Sequence, residues 1–176
     1  MIKRWAMAAM FASFLTGCTS LPDGVSPVQN FSSQRYLGKW YEIARLDHHF
    51  EKGLTDVTAT YSLRNDGGLE VINRGYSPEK ERWKQAKGKA YFVKSTDTGY
   101  LKVSFFGPFY GTYAVIDLDK NYQYSLVAGP DKSYLWILSR TPTLPQAIQQ
   151  RLINKAKSLG FDTSKLVMVN QQRNQQ

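Results

Sequence analysis

Apolar and polar residues alternate along short stretches of this chain, beginning at Gly38 and continuing to about residue 139. Residues 57–63, "VTATYSL", alternate clearly; the turn residues "RNDGG" follow, and then a second alternating stretch, "LEVINRGY". This arrangement predicts a β-hairpin. Six further stretches have the same character: "GKWYEIARL", "WKQAKGKAYFV", "YLKVSFF", "TYAVIDL", "YQYSLVA" and "YLWILS". Eight strands with short connections predict an all-β, antiparallel up-and-down barrel, because closure leaves no exposed sheet edge.

One later segment has a helical period instead. In "TPTLPQAIQQRLINKAKSLG" the apolar residues recur three or four positions apart, at Ile148, Leu152, Ala156 and Leu159. Thr143 and Gln146 are spaced as a capping box, and Gly160 provides a stop signal. The pattern predicts one C-terminal α-helix at about residues 144–159, with its apolar stripe packed on the outside of the barrel.

Strand alternation also predicts which side chains point into the barrel. On the first strand, one face carries Trp40, Glu42, Ala44 and Leu46, and the other carries Tyr41, Ile43 and Arg45. An eight-stranded barrel either fills its interior with side chains or holds one small ligand. Small residues on the inward face favour a cavity here; they are Ala44, Ala59, Ala86 and Ala90. A filled, purely structural barrel remains an alternative. The candidate cavity residues are Ala59, Tyr61, Val103, Phe105, Tyr113, Val115, Tyr134 and Trp136.

The first seventeen residues have the pattern of a secretory signal. Lys3 and Arg4 precede the apolar stretch "WAMAAMFASFL", which ends in "LTGC". Eleven apolar residues reach only about half of a ~30 Å hydrocarbon core, so the stretch is too short to span a membrane. Cys18 is the only cysteine of the chain, which excludes an intramolecular disulfide. Leu15 to Cys18 resemble the bacterial lipobox, which implies cleavage before Cys18 and lipidation of its sulfur as a membrane anchor.

The residue after that cysteine is Thr19 rather than Asp, which implies the outer membrane in lipoproteins of this kind. Residues 18–29, "CTSLPDGVSPVQ", are rich in Ser, Pro, Gly and Asp, a composition that predicts a flexible tether. The domain is then expected over residues 30–176.

Removal of the signal lowers the formal net charge from +9 to +7. Because the chain is exported, this charge favours an anionic membrane surface over nucleic acid, with a solvated basic surface as the alternative.

Three sites along the chain resemble the signature regions of the lipocalins. They are Gly38-Lys39-Trp40 after "NFSSQRYL", Leu118-Asp119 with Tyr122, and Arg140 in "LSRTP". With the lipobox, the chain is similar to the bacterial outer-membrane members of that family over about residues 29–170. The resemblance implies a calyx for small hydrophobic ligands, fatty acids or lysophospholipids above all, with no cofactor and no metal. It also implies that Gly38, Trp40 and Arg140 close one end, with the guanidinium over the indole. The second region departs from the family pattern, so Lys120 and Asn121 receive no role.

Two adjacent histidines, His48 and His49, follow the first strand. On a strand they would face opposite sides, so they cannot chelate one metal ion as a helical i, i+4 pair can. We expect a solvated position at the mouth, with a contact to a ligand headgroup as an alternative. A lipid hydrolase using Asp47 with either histidine and a nearby serine is the alternative function. Positive charge at the mouth would favour a carboxylate or phosphate there; the candidates are Arg45, Lys52, Lys80 and Arg82.

Overall fold

The computed structural model describes residues 19–175. The signal segment and Cys18 lie outside the described residues. The strands are β1 Gly38–Leu46, β2 Thr55–Leu63, β3 Leu69–Ser77, β4 Arg82–Phe92, β5 Tyr100–Ser104, β6 Gly111–Leu118, β7 Tyr124–Ala128, β8 Leu135–Ser139 and β9 Leu166–Met168. Two α-helices are described, α1 Ser33–Tyr36 and α2 Gln146–Ser158. Neither has the length and apolar character that crossing a bilayer requires.

The first eight strands form a closed antiparallel barrel. Each strand pairs with the next in the chain, and β1 closes the sheet by pairing with both β2 and β8. The predicted eight-stranded up-and-down barrel with one helix outside is confirmed. At one end, the mouth, lie the loops 47–54, 78–81, 105–110 and 129–134. The opposite end, the closed end, has the loops 64–68, 93–99 and 119–123 and is covered by residues 29–37.

Helix α2 packs on the outer face of the barrel through Leu152 and Ala156, both of which are fully buried. Its bounds lie within two residues of the predicted ones. The predicted capping box is wrong, because the N-cap is Pro145 and no side chain caps the helix. The carbonyl of Thr143 instead accepts a hydrogen bond from the hydroxyl of Thr141, at 2.7 Å.

A β-bulge in β1 changes which side chains face inward. The pairing with β8 shifts between Glu42 and Ala44, so the two residues oppose Leu138 and Ile137, which are adjacent in β8. Beyond the bulge, Ala44 belongs to the outer apolar cluster under α2. Arg45 is buried and bonded to Glu42. The predicted alternation of β1 therefore holds as far as Glu42 and is wrong after it. The extra residue of the bulge exchanges the inward-facing and outward-facing positions of the strand.

The small residues expected to leave room in the barrel are spread over three environments. Ala59 lines the cavity. Ala90 is buried in the closed-end cluster, while Ala86 lies on the exposed, mouth-side half of β4. With Ala44 under the helix, only Ala59 of the four contributes to the cavity wall.

The C-terminal segment bridges a gap in the barrel wall that the sequence did not indicate. Near the mouth, β1 pairs with β9 instead of β2. Gln171 then spans the two strands, because its amide nitrogen donates to the carbonyls of Glu42 and Val57, both at 2.8 Å. These contacts satisfy backbone groups that β1 and β2 would otherwise exchange with each other.

The segment predicted as a flexible tether packs along the barrel in its described part. Val25 is buried in the outer cluster. The backbone of Val28 donates to Val115 O at 2.8 Å and accepts from Gly99 N at 2.9 Å. Nearer the mouth, the Thr112 hydroxyl donates to Ser20 O at 2.8 Å. Residues 20–28 therefore run along the outside of β5 and β6, from the mouth side toward the closed end.

Candidate functional site

The closed end of the barrel is built around Trp40, whose side chain is fully buried. Its indole nitrogen donates to Tyr36 O at 2.8 Å, and the Arg140 guanidinium lies 3.9 Å from the ring centroid. The same guanidinium donates to the carbonyls of Lys39 and Arg35, both at 2.9 Å. Gly38 has φ +93°, and a Cβ there would lie 3.4 Å from Arg140 Nη1. The structure thus brings Gly38, Trp40 and Arg140 together at the end opposite the mouth.

A cavity of about 300 Å³ occupies the rest of the barrel interior. Seven of the eight sequence-predicted cavity residues line it: Ala59, Tyr61, Val103, Phe105, Tyr113, Tyr134 and Trp136. The eighth, Val115, lies below the cavity in the buried closed-end cluster that contains Phe31 and Tyr36. Further lining residues that were not predicted include Glu42, Phe50, Glu51, Val71, Asn73 and Leu138.

The floor of the cavity is a chain of hydroxyl groups. Tyr113 lies 2.8 Å from the hydroxyls of both Tyr36 and Tyr61, and Tyr36 also contacts Ser125 Oγ at 3.3 Å. Burial raises the pKa of Tyr36 to about 12, and it raises the pKa of Tyr61 and of Tyr113 well above 10. The floor is therefore uncharged, and its hydroxyls bond mainly to one another. Tyr36 comes from helix α1, before the first strand, so strand alternation gave no signal for it.

One wall carries buried ionisable groups. Arg45 Nη1 donates to Glu42 Oε1 at 2.9 Å, and Nη2 donates to Glu51 O at 2.9 Å. Trp136 Nε1 donates to Glu51 Oε2 at 3.0 Å. Burial and the neighbouring Glu51 raise the pKa of Glu42 well above 4.5, although Arg45 opposes the shift. Burial likewise raises the pKa of Glu51.

These contacts change the expected charge of the mouth. Arg45 is buried and is already paired with Glu42, while Asp47 accepts from its Nε at 3.2 Å. The prediction that Arg45 offers free positive charge at the mouth is therefore wrong. Two carboxyl groups line the cavity instead: that of Glu42 accepts a hydrogen bond from the Arg45 guanidinium, and that of Glu51 accepts one from the Trp136 indole. The bulge in β1 produces this arrangement, because it places residues 42 and 45 on the same side of the strand.

His48 packs among aromatic rings rather than lying in solvent. Its side chain is 7% exposed, and its ring centroid lies 3.8 Å from that of Phe50 and 5.1 Å from that of Trp136. Burial, with a smaller contribution from Arg45, lowers its pKa to about 4. The predicted solvated position is therefore wrong for His48, whereas His49 is exposed.

The hydrolase alternative needs a basic histidine bonded to a carboxylate and a serine. Among the described residues, neither ring nitrogen of His48 makes a hydrogen bond, although Nε2 lies 3.4 Å from Glu51 Oε2. Asp47 bonds to Arg45 instead. A neutral imidazole with a pKa of about 4 is also a weak base at neutral pH. Within residues 19–175, no three His, Cys, Asp or Glu side chains form a group suited to a metal ion.

Comparisons with known proteins agree with this architecture. The lipocalin-like domain model matches residues 31–171. The chain is 58% identical over 159 residues to outer membrane lipoprotein Blc of Vibrio cholerae, covering 90% of this chain and 93% of that relative. It is 56% identical over 168 residues to outer membrane lipoprotein Blc of Escherichia coli K12, covering 94% and 95% of the two chains.

A solved structure extends the likeness to the fold. Insecticyanin from the tobacco hornworm Manduca sexta superposes with a TM-score of 0.69 at 21% identity, covering 86% of each chain. At that identity the likeness shows the fold alone, and it agrees with the closed barrel described above. The family model covers residues 31–171, and the two bacterial relatives match at least 90% of the chain at 58% and 56% identity. The chain therefore belongs to the lipocalin family.

Proposed function

We propose that this protein binds lipids with a single acyl chain, fatty acids or lysophospholipids, inside its barrel at the outer membrane. The observation that carries the proposal is the cavity of about 300 Å³, which opens at one end only. Val71, Val103, Phe105 and Leu138 give it apolar walls, and the tyrosine hydroxyls give it an uncharged floor. Concave, mostly apolar sites with a few polar groups are typical of small-molecule binding.

The outer-membrane location is supported by the relatives named outer membrane lipoprotein. We further propose that Cys18 is the acylated residue that holds the protein there. Replacement of Cys18 by alanine should leave the precursor unprocessed by the lipoprotein route and move the protein out of the detergent phase on partitioning. Unchanged fractionation of Cys18→Ala with the outer membrane would place the anchor elsewhere.

Ligand binding is tested by titrating purified protein with monomeric fatty acids or lysophospholipids of increasing chain length. Trp136 lines the cavity, so its fluorescence should report occupancy. Each methylene that becomes buried should raise affinity about fourfold until the cavity is full, because its burial contributes about 0.8 kcal/mol. Lipid extraction from protein purified without detergent should identify a bound lipid directly.

Two neighbouring phenylalanines provide a matched pair of variants. Phe105 lines the cavity, whereas Phe106 is 81% exposed on the same loop. Phe105→Asp should weaken binding of a monomeric ligand strongly, because it introduces a charge into the apolar wall. Phe106→Asp should leave that affinity unchanged. Affinity that is independent of chain length, or wild-type affinity in Phe105→Asp, would show that the lipid does not lie inside the barrel.

A further inference from the structure

The loop between β5 and β6, residues 105–110 with the sequence "FFGPFY", exposes large apolar side chains at the mouth. Phe106 is 81% exposed and Phe109 is 77% exposed, although both are large aromatic residues. A turn brings them together, since Phe109 N donates to Phe106 O at 3.2 Å. Phe105, in the same loop, lines the cavity. One loop is thus both a wall of the binding site and an exposed apolar tip.

The chain that leads to Cys18 reaches the barrel beside this loop. Thr112, two residues after Tyr110, donates through its hydroxyl to Ser20 O at 2.8 Å, and the Tyr100 hydroxyl contacts Thr19 O. Cys18 directly precedes Thr19 in the sequence. An acyl anchor on Cys18 would therefore enter the membrane next to the β5–β6 loop, since Cys18 lies only two positions before Ser20 in the sequence.

Positive charge flanks the same loop. Lys102 Nζ lies 5.1 Å and Lys89 Nζ lies 5.9 Å from the ring centroid of Tyr110. Neither lysine forms a salt bridge within residues 19–175. Lysines beside exposed aromatic side chains suit the headgroup region of an anionic bilayer, where the rings reach the acyl boundary.

We propose that the β5–β6 loop docks on the bilayer to which Cys18 is anchored, with Phe106 and Phe109 inserted, so that the mouth faces the membrane. This inference rests on the proposed acylation and lipid binding. In this orientation the polar end of a lysophospholipid stays near the headgroups while its acyl chain exchanges between bilayer and cavity. The partner of the exposed apolar loop is therefore the lipid surface itself.

The docking is tested on the acylated protein, reconstituted through its anchor into vesicles of phosphatidylethanolamine with a minority of phosphatidylglycerol. The sulfur of acylated Cys18 is blocked, so a cysteine introduced at Phe106 can be labelled alone with a fluorophore. Leu63 supplies the control position, because it is 51% exposed at the closed end of β2. We expect lipids carrying a quencher in their acyl chains to quench the label in Phe106→Cys and to spare the label in Leu63→Cys.

Transfer of a lysophospholipid from the vesicles into the cavity provides the second readout. The double variant Phe106→Ser with Phe109→Ser should slow this transfer at least about tenfold, because two apolar side chains no longer enter the bilayer. Leu63→Ser should transfer at the wild-type rate. Affinity for monomeric ligand added from solution should remain unchanged in all of these variants.

The outcomes separate the docking from the ligand proposal. An unquenched label at position 106 with wild-type transfer by the double variant would overturn the docking, even where monomeric ligand still binds. Quenching at position 63 instead would show that the closed end faces the bilayer and would also overturn it. A quenched label at position 106 in a protein that binds no lipid would support the docking and refute the proposed ligand.

Discussion

His48 should make the stability of this protein sensitive to acid. Its ring packs between Phe50 and Trp136, and burial lowers its pKa to about 4 from the ordinary value of 6.5. In the unfolded chain the imidazole becomes protonated as the pH falls through 6.5, whereas in the folded protein it stays neutral down to about pH 4. The stability that depends on neutral His48 is therefore complete above pH 6.5 and is lost as the pH falls to about 4.

The magnitude follows from the difference between the two pKa values. At 1.36 kcal/mol for each pH unit, the loss between pH 6.5 and pH 4 amounts to about 3 kcal/mol. Solvent at the mouth screens part of this interaction, so about 3 kcal/mol is an upper bound. The charged and titratable neighbours are Arg45, Asp47, His49 and Glu51. Glu42 and Glu51 act in the opposite direction, since carboxyl groups with a raised pKa gain stability as the pH falls.

The comparison with His48→Phe isolates the histidine from these opposing groups. Phenylalanine preserves the aromatic packing and does not titrate. Urea unfolding followed by tryptophan fluorescence at a series of pH values gives the free energy of unfolding of each protein. Between pH 6.5 and pH 4, wild type should lose up to about 3 kcal/mol more than His48→Phe. His49→Gln is the control, because that side chain is exposed and its curve should follow wild type. Parallel curves for wild type and His48→Phe would refute the argument.

Two further predictions concern the closed end and the carboxyl wall. Trp40→Ala should lower the free energy of unfolding by about 3–5 kcal/mol. Arg140→Lys keeps the charge but lacks the planar guanidinium, and it should lower the free energy of unfolding by about 1–3 kcal/mol. A wild-type melting temperature in Trp40→Ala would contradict the β1 register. Affinity for a long-chain alkyl sulfonate, whose charge is constant, should fall as the pH rises through the raised pKa of Glu42. Glu42→Gln should flatten that dependence, and an unchanged pH profile in this variant would exclude Glu42 as its cause.

The barrel was predictable because its signal is repeated. Each strand alternates over several residues and is followed by turn residues, so one irregular position does not change the assignment. The same alternation placed seven candidate residues on the cavity wall. Val115 was not separable from them by sequence, because it too faces inward but lies below the tyrosine floor. Depth along the barrel axis depends on which side chains meet across it, and local patterns do not contain that information.

The carboxyl wall was missed for a different physical reason. A bulge adds one residue without changing the composition of β1, and it moves Arg45 to the side of Glu42. The pairing of β1 with β9 and the bridge made by Gln171 depend on residues more than a hundred positions away. The packing of Val25 and Val28 against the barrel likewise depends on long-range contacts. A Ser- and Pro-rich composition predicts only that the segment has little regular structure of its own. It does not indicate the long-range contacts that hold the segment against the barrel.

The polar groups of the cavity favour one orientation of a bound lipid. Hydroxyls at the floor already bond to one another, through Tyr61, Tyr113 and Tyr36, so they offer little to an incoming polar group. On the wall, Glu42 and Glu51 each have one carboxyl oxygen engaged by Arg45 or Trp136, and the other oxygen forms no hydrogen bond with residues 19–175. A polar headgroup that must replace its lost water contacts therefore finds more partners beside this wall than at the floor. The acyl chain then extends toward the tyrosines, and the headgroup lies on the side of the mouth, where the β5–β6 loop would meet the membrane.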